Sequence, residues 1–327
     1  MKRSLYIGVL ALLLVASVSG IALLLETDGT VEASGEIGDS GDVEGGARYR
    51  EGDGAGDRDD GGDAGDERGA PDADSGEVTG GDGPVRYDPS SITRDNPRIY
   101  LILDDGGHRV DDLRAFTPFP GVFTIAVLPY LEHSRDVARM TVALGHELIL
   151  HQPMEALGGN DPGPGAIFTT YDNPRIRRVL RENLRQFPDA IGVNNHMGSK
   201  ATGDERVMAE VASVLANRRL FFLDSRTIHT SVADTVAVAA GLPELRRDVF
   251  LDNVRTDEAI SEQIDEGLAI AREKGYAVLI GHVTSPELAR VLTDRYDEIT
   301  AAGYIFAPLS ELVATQTRRI AHENSGN

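Results

Sequence analysis

The chain has 327 residues, a formal net charge of −21 and no cysteine. Its size allows one large domain or two ordinary ones, and the missing cysteines exclude a disulfide framework, a thiolate nucleophile and Cys-ligated zinc. With only three lysines (Lys2, Lys200 and Lys274), the acidic balance also argues against a nucleic-acid partner, which needs clustered positive charge.

Met1-Lys2-Arg3 precedes 22 residues without a charge, Ser4 to Leu25, long enough for the roughly 20 that span a bilayer. The positive-inside rule then puts everything after Glu26 outside the cytoplasm. Residues 1–25 read as a membrane anchor, or as a signal segment with Val18-Ser19-Gly20 as its cleavage site. Either reading places the protein at the cell envelope, on the exported side of the membrane. Residues 26–96 hold 21 acidic and 6 basic residues, −15 of the −21, among Gly, Ala and Ser with almost no large apolar side chain. Such a stretch buries too little apolar surface to offset its conformational entropy and reads as an acidic, disordered linker.

From residue 97 the pattern changes to short apolar runs alternating with amphipathic stretches, the signature of βα units on a parallel sheet. Strands are predicted at 99–103, 122–128, 147–150, 190–194, 220–223, 249–251, 277–280 and 304–308. Helices are predicted at 134–144, 174–186, 204–218, 231–240, 256–273 and 285–301. The helix at 256–273 opens on Thr256-Asp257-Glu258 and stops at Lys274-Gly275, the expected polarity of caps and charges. Seven or eight such units over residues 97–315 suit an α/β fold closed into a (β/α) barrel, with 316–327 as a flexible tail.

What the strands end on is more informative. They lead in turn to Asp104-Asp105, His151, Asn194-Asn195-His196, Asp224-Ser225-Arg226, Asp252-Asn253 (with Arg247-Asp248 before that strand) and Gly281-His282. In a parallel barrel all carboxyl ends lie on one face, so residues far apart in sequence converge on one pocket. Adjacent strand residues point to opposite sides, so Asp104 and Asp105 act together only if the backbone turns there, which Gly106 and Gly107 permit. A helix N-cap would account for one aspartate, not two.

Two carboxylates side by side repel unless a cation relieves them. One aspartate can ligate a divalent ion while the other stays free as a base. His151 and His196 would complete two imidazoles and a carboxylate, the open three-ligand set of catalytic zinc, and His282 is left to protonate a leaving group. The polar Asn194, Asn195 and Ser199 surround His196, and Asn195 and Ser199 are candidates for contact with substrate or for support of the site. Asp224, Arg226, Arg247 and Asp248 are candidates to orient His282 or hold sugar hydroxyls, or to form an ion-pair ring at the barrel mouth. His146, five residues before His151, falls roughly 16 Å away at about 3.3 Å per residue and is structural.

The stretches YLILDDGG, GHELILHQPME, GVNNHMGS, LFFLDSRT, RDVFLDN and VLIGHV, in that order, resemble the divergent polysaccharide deacetylases, distant relatives of NodB-type carbohydrate deacetylases with a distorted (β/α) barrel. The resemblance covers residues 97 to about 313. It implies Asp104 as general base, Asp105 as metal ligand and His282 as general acid. The wider family has two metal histidines close together after the third strand; here only His151 stands there, followed by Gln152-Pro153-Met154-Glu155, and His196 on the next strand is the inferred second imidazole. The implied reaction is metal-dependent hydrolysis of N- or O-acetyl groups from a polysaccharide outside the cytoplasm, with Zn2+ as the ion. The altered second motif keeps an alternative open, an inactive glycan-binding or regulatory barrel.

Overall fold

The computed structural model describes residues 92–325 apart from residue 94. The expected anchor and nearly all of the expected linker lie outside the described residues. Among the described residues no helix is long and apolar enough to cross a membrane.

The elements in chain order are β1 (Arg98–Gly106), α1 (Val110–Arg114), β2 (Thr124–Val127), α2 (Ser134–Ala143), β3 (Glu147–Met154), α3 (Asn173–Leu184), β4 (Gly192–Met197), α4 (Glu205–Ala216), β5 (Phe221–Leu223), α5 (Ala233–Ala239), β6 (Val249–Phe250), α6 (Asp257–Lys274), β7 (Tyr276–His282), α7 (Pro286–Ala301), β8 (Ile305–Phe306) and α8 (Leu309–Ser325). Helix starts follow local chemistry. The side chains of Asp172, Asp204, Thr256 and Ser285 accept the backbone N–H three residues on, at α3, α4, α6 and α7, each cap contributing about 1 kcal/mol. Helix α6 stops where Gly275 takes φ 93, the left-handed conformation a glycine adopts without strain.

The strands form one parallel sheet in the order β5-β4-β3-β2-β1-β7-β6. The sheet curls so that alternate residues separate two cores. Ile99, Leu101 and Leu103 of β1 pack outward with Phe116, Val137, Leu180 and Leu288 of the helical layer. Tyr100 and Ile102 pack inward with Ala126, Ile149, Leu223, Val278 and Ile280. A strand buried on both faces has no polar alternation, which is why β1 reads as a continuous apolar run.

Two features depart from a ring of equal staves. Strand β8 pairs only with Arg98 and Ile99 at the start of β1 and takes no place in the main strand order, so the path has seven strands. Between β5 and β6 no ladder forms; one bridge spans the seam, with Asp224 N–H donating to Leu245 C=O and Arg247 N–H to Asp224 C=O, both at 2.9 Å. The residues after 315, expected as a flexible tail, continue α8 as far as Ser325. That helix is held because Leu309 and Leu312 at its start are buried in the inner core.

Candidate metal-dependent active site

At the carboxyl end of β1 the backbone makes room for both aspartates. Leu103 pairs with Ile125 and Gly106 with Val127, so between these pairs two residues of β1, Asp104 and Asp105, stand against one of β2, Ala126, and the strand bulges there. Asp105 takes φ 63, in the left-handed region, where aspartate is among the few side chains found with any frequency. Gly106 is required by contact: a Cβ there would lie 3.0 Å from Ile125 Cγ2 and 3.2 Å from the Ala126 carbonyl oxygen. Gly107, at φ 117, is required by conformation.

Register supplies the neighbours. Asp104 pairs with His282 across β1 and β7, and His151 pairs with Asn194 across β3 and β4. Residues 194 and 196 share a face of β4 by alternation. As a result Asp105 Oδ1 lies 3.2 Å from His151 Nε2 and 3.0 Å from His196 Nδ1, and the two ring nitrogens are 3.1 Å apart. Asp104 Oδ2 is 3.7 Å from His151 Nε2, and His282 Nε2 is 3.8 Å from Asp105 Oδ2. Asp104 and His151 are buried, whereas the side chains of Asp105, His196 and His282 keep 20 to 25% of their surface open to solvent. The cluster is therefore reachable from outside on the side where those three converge.

Asp105 Oδ1 is buried without a hydrogen-bond partner although two imidazole nitrogens stand within 3.2 Å. The contacts have the distance of hydrogen bonds and not their direction. Ligand atoms about 2.0–2.2 Å from one metal ion stand on the order of 3.0–3.5 Å apart, so the triangle of 3.0, 3.1 and 3.2 Å has the dimensions of a shared coordination shell. Asp105, His151 and His196 are also the group among the described residues whose ligand atoms lie within 4.8 Å of one another. The donor set of two imidazoles and one carboxylate fits zinc chemistry.

The electrostatics point the same way. Burial opposes the charge on Asp105, but its two imidazole neighbours outweigh it and hold the carboxyl far below the usual range. Burial pushes Asp104 up despite the nearby His151 and the hydrogen bond from Asn194. Burial lowers His151, yet Asp104 and Asp105 bring it to about 9. Two aspartates in one buried pocket demand positive charge, whether from a proton or a cation. His282 is likewise raised: burial acts against its charge, and Asp252 more than compensates. Asp252 is buried, with Oδ1 3.0 Å from His282 Nδ1 and Oδ2 accepting the His282 backbone N–H at 3.1 Å, so Nε2 is the nitrogen presented to the pocket.

The other candidates are placed elsewhere. Asn195 points away from His196, its Nδ2 donating to Met197 C=O (2.7 Å) and its Oδ1 accepting Ser225 N–H (2.9 Å). Ser199 Oγ accepts Leu157 N–H. Asp224 follows the inward-facing Leu223 and turns back on its own loop, with Oδ1 accepting Arg226 N–H. Arg226 faces Asp234 at 3.8 Å. Asp248 precedes β6 and sits at the opposite end of the barrel, bound to Lys274 Nζ (2.6 Å) and to Val278 N–H. Arg247 lies in the β5–β6 seam: Nε donates to Ser225 C=O and Nη2 to Arg226 C=O, and its guanidinium stands 5.0 Å from the Phe250 ring, itself 5.1 Å from the His282 ring. His146 stacks on Phe123 with ring centroids 3.6 Å apart, a packing role. Asn194 and Asp252, inside the quoted motifs but not among the candidate site residues, touch the cluster directly.

The sequence matches the divergent polysaccharide deacetylase family over residues 101–313. The chain belongs to that family. The chain is 32% identical over 195 residues to the uncharacterized protein YibQ of Escherichia coli (strain K12), covering 60% of this chain and 61% of that protein. It is 30% identical over 185 residues to an uncharacterized protein of Haemophilus influenzae, covering 57% and 66%. The match thus spans under two thirds of either relative. Among solved structures it resembles the uncharacterized protein ATU2773 of Agrobacterium tumefaciens C58, with TM-score 0.62, 22% identity, and coverage of 67% of this chain and 89% of that one. At that identity the likeness concerns the deacetylase fold alone.

Proposed function

We propose that this divergent polysaccharide deacetylase is a metal-dependent hydrolase that removes N- or O-acetyl groups from a polysaccharide outside the cytoplasm. The reading is carried by the triangle of Asp105 Oδ1, His151 Nε2 and His196 Nδ1, with Asp104 and His282 on either side of it. A divalent cation held by those three residues, Zn2+ by the nature of the donors, would supply Lewis-acid polarisation of the acetyl carbonyl and of the attacking water. Asp104 takes the proton from that water. Its burial favours the protonated product, and the hydrogen bond from Asn194 Nδ2 fixes the oxygen that does not receive it. His282 delivers a proton to the departing nitrogen or oxygen from Nε2, while Asp252 holds Nδ1 and stabilises the imidazolium between turnovers. The presence of base, acid and ligand trio around one centre favours catalysis over a glycan-binding role. The charge pattern of residues 1–25 supports a place at the exported side of the membrane, and a glycan of the envelope as substrate.

The test is metal analysis together with acetate release from acetylated glycans, using the full-length protein. A stoichiometric divalent ion, lost along with acetate release in His196→Ala, is the expected result. A metal-free wild type that binds acetylated glycan without releasing acetate would replace this reading with the binding one.

A further inference from the structure

Asn194 is completely buried at the carboxyl half of β4 and spends every polar atom of its side chain on the cluster. Its Nδ2 donates to Asp104 Oδ1 at 2.8 Å and to Ser225 Oγ at 3.3 Å, and its Oδ1 stands 2.7 Å from His151 Nδ1. An ionised Asp104 can only accept, so the NH2 end of the amide must face it and the carbonyl end must face His151. In its neutral, ligating form His151 then carries its proton on Nδ1, and Nε2, which lies 3.2 Å from Asp105 Oδ1 and 3.1 Å from His196 Nδ1, keeps its lone pair.

We infer that Asn194 is the positioning residue that joins the two halves of the site: one amide orients the general base and fixes the ring tautomer of a metal ligand. The inference rests on the metal-dependent reading above. The bridge is directional. Reversing the amide would set the carbonyl against the Asp104 carboxylate and two N–H groups against Nδ1, forcing the proton of His151 onto Nε2, where it would block coordination. Register favours this arrangement, because His151 and Asn194 are paired residues of adjacent parallel strands and Asn194 reaches Asp104 across the inside of the curled sheet. No other described residue is hydrogen-bonded to both Asp104 and His151.

The experiment uses the full-length protein and three variants, Asn194→Leu, Asn194→Asp and the exchange Asp104→Asn with Asn194→Asp. Zn2+ affinity is measured by isothermal titration calorimetry, melting temperature by circular dichroism in zinc-free buffer, and acetate release on an acetylated glycan. Asn194→Leu strips His151 of its acceptor and should weaken Zn2+ binding by about ten- to a hundredfold, the usual effect of losing the partner of a ligating histidine. Asn194→Asp keeps an acceptor opposite Nδ1 and should bind Zn2+ far more tightly than Asn194→Leu, while kcat and melting temperature fall because a second carboxylate now faces Asp104. The exchange restores one donor and one acceptor between the two positions, so melting temperature should recover although acetate release stays lost. A residue that merely packs gives no such recovery, and it gives equal Zn2+ losses in the Leu and Asp variants. Either result overturns the inference, as does unchanged Zn2+ affinity in Asn194→Leu. A wild type that binds Zn2+ but releases no acetate would remove the hydrolase reading and leave the affinity and melting arms to decide this one. A wild type that binds no Zn2+ would overturn both.

Discussion

Strand β1 begins and ends in a buried charged cluster, and the two clusters differ. At its start, Arg98 Nε donates to Glu311 Oε1 at 2.9 Å and the Tyr100 hydroxyl donates to the same oxygen at 3.3 Å, with both charged side chains under 10% exposed. Burial and the Glu311 carboxylate push the Tyr100 phenol well above its ordinary value, so it stays a donor. Positive and negative charge are matched there within the protein. At its end, Asp104 and Asp105 meet three imidazoles, and Asp105 Oδ1 is left without a hydrogen bond. A closed network of this sort fastens α8 to the sheet; an open one, in the same barrel and on the same strand, is prepared for something the chain itself does not contain. Satisfaction of polar atoms separates the two, together with the partial opening of Asp105, His196 and His282 to solvent.

That contrast can be broken most sharply at Asp105. Asp105→Ala should lower acetate release by about three orders of magnitude or more, through loss of the ligand and of the charge it stabilises, with only a small fall in melting temperature in metal-free buffer from loss of its imidazole partners. Glu311→Ala should do the reverse. It leaves Arg98 buried without its carboxylate, costing about 3–5 kcal/mol, a fall in melting temperature on the order of 10 °C for a domain of this size, while the protein that remains folded keeps its turnover. Chelation sharpens the comparison further: with metal at about a thousandfold over its Kd, its removal should withdraw up to about 4 kcal/mol from wild type and from Glu311→Ala, and nothing from Asp105→Ala, as read by thermal melts with and without EDTA. The smallest effect belongs to the partner of the acid. Asp252→Asn keeps an acceptor for His282 Nδ1–H but loses the charge, and should reduce kcat by roughly ten- to a hundredfold with melting temperature nearly unchanged.

Much of this was legible in the amino-acid sequence because both cores are built from period-two and period-3.6 patterns. The β1, β3, β4 and β7 runs and the helices α2 to α4, α6 and α7 lie within a few residues of where apolar spacing and caps put them. The barrel rule brings His151, His196 and the aspartate pair to one face, and the family resemblance selects Asp105 from the pair. What was not legible depended on which way a side chain turns. Both asparagines border His196 in the sequence, with Asn195 the candidate for substrate contact, but strand alternation gives Asn194 and His196 one face and Asn195 the other, which singles out Asn194 instead. Asp248 lies before its strand and therefore at the far end of the barrel, an ordering visible in the sequence. Asp252 offered a weaker signal, an acid directly after the short strand expected at 249–251, and its place beside His282 depends on the pairing of β6 with β7. The tail after residue 315 has low apolar content, and its helix is set by burial of Leu309 and Leu312 upstream, a tertiary effect that local composition does not carry.

The bulge at Asp104-Asp105 ties chemistry to the shape of the main chain. Were Asp105 returned to ordinary extended torsion angles, the second carboxylate would swing to the outer wall of the sheet while every reactive side chain was still encoded. Inheritance of the catalytic letters is thus insufficient without the kink that aims them. A descendant could fall silent through a substitution that straightens this spot, such as a change at Gly106 or Gly107, with its aspartates and histidines all retained.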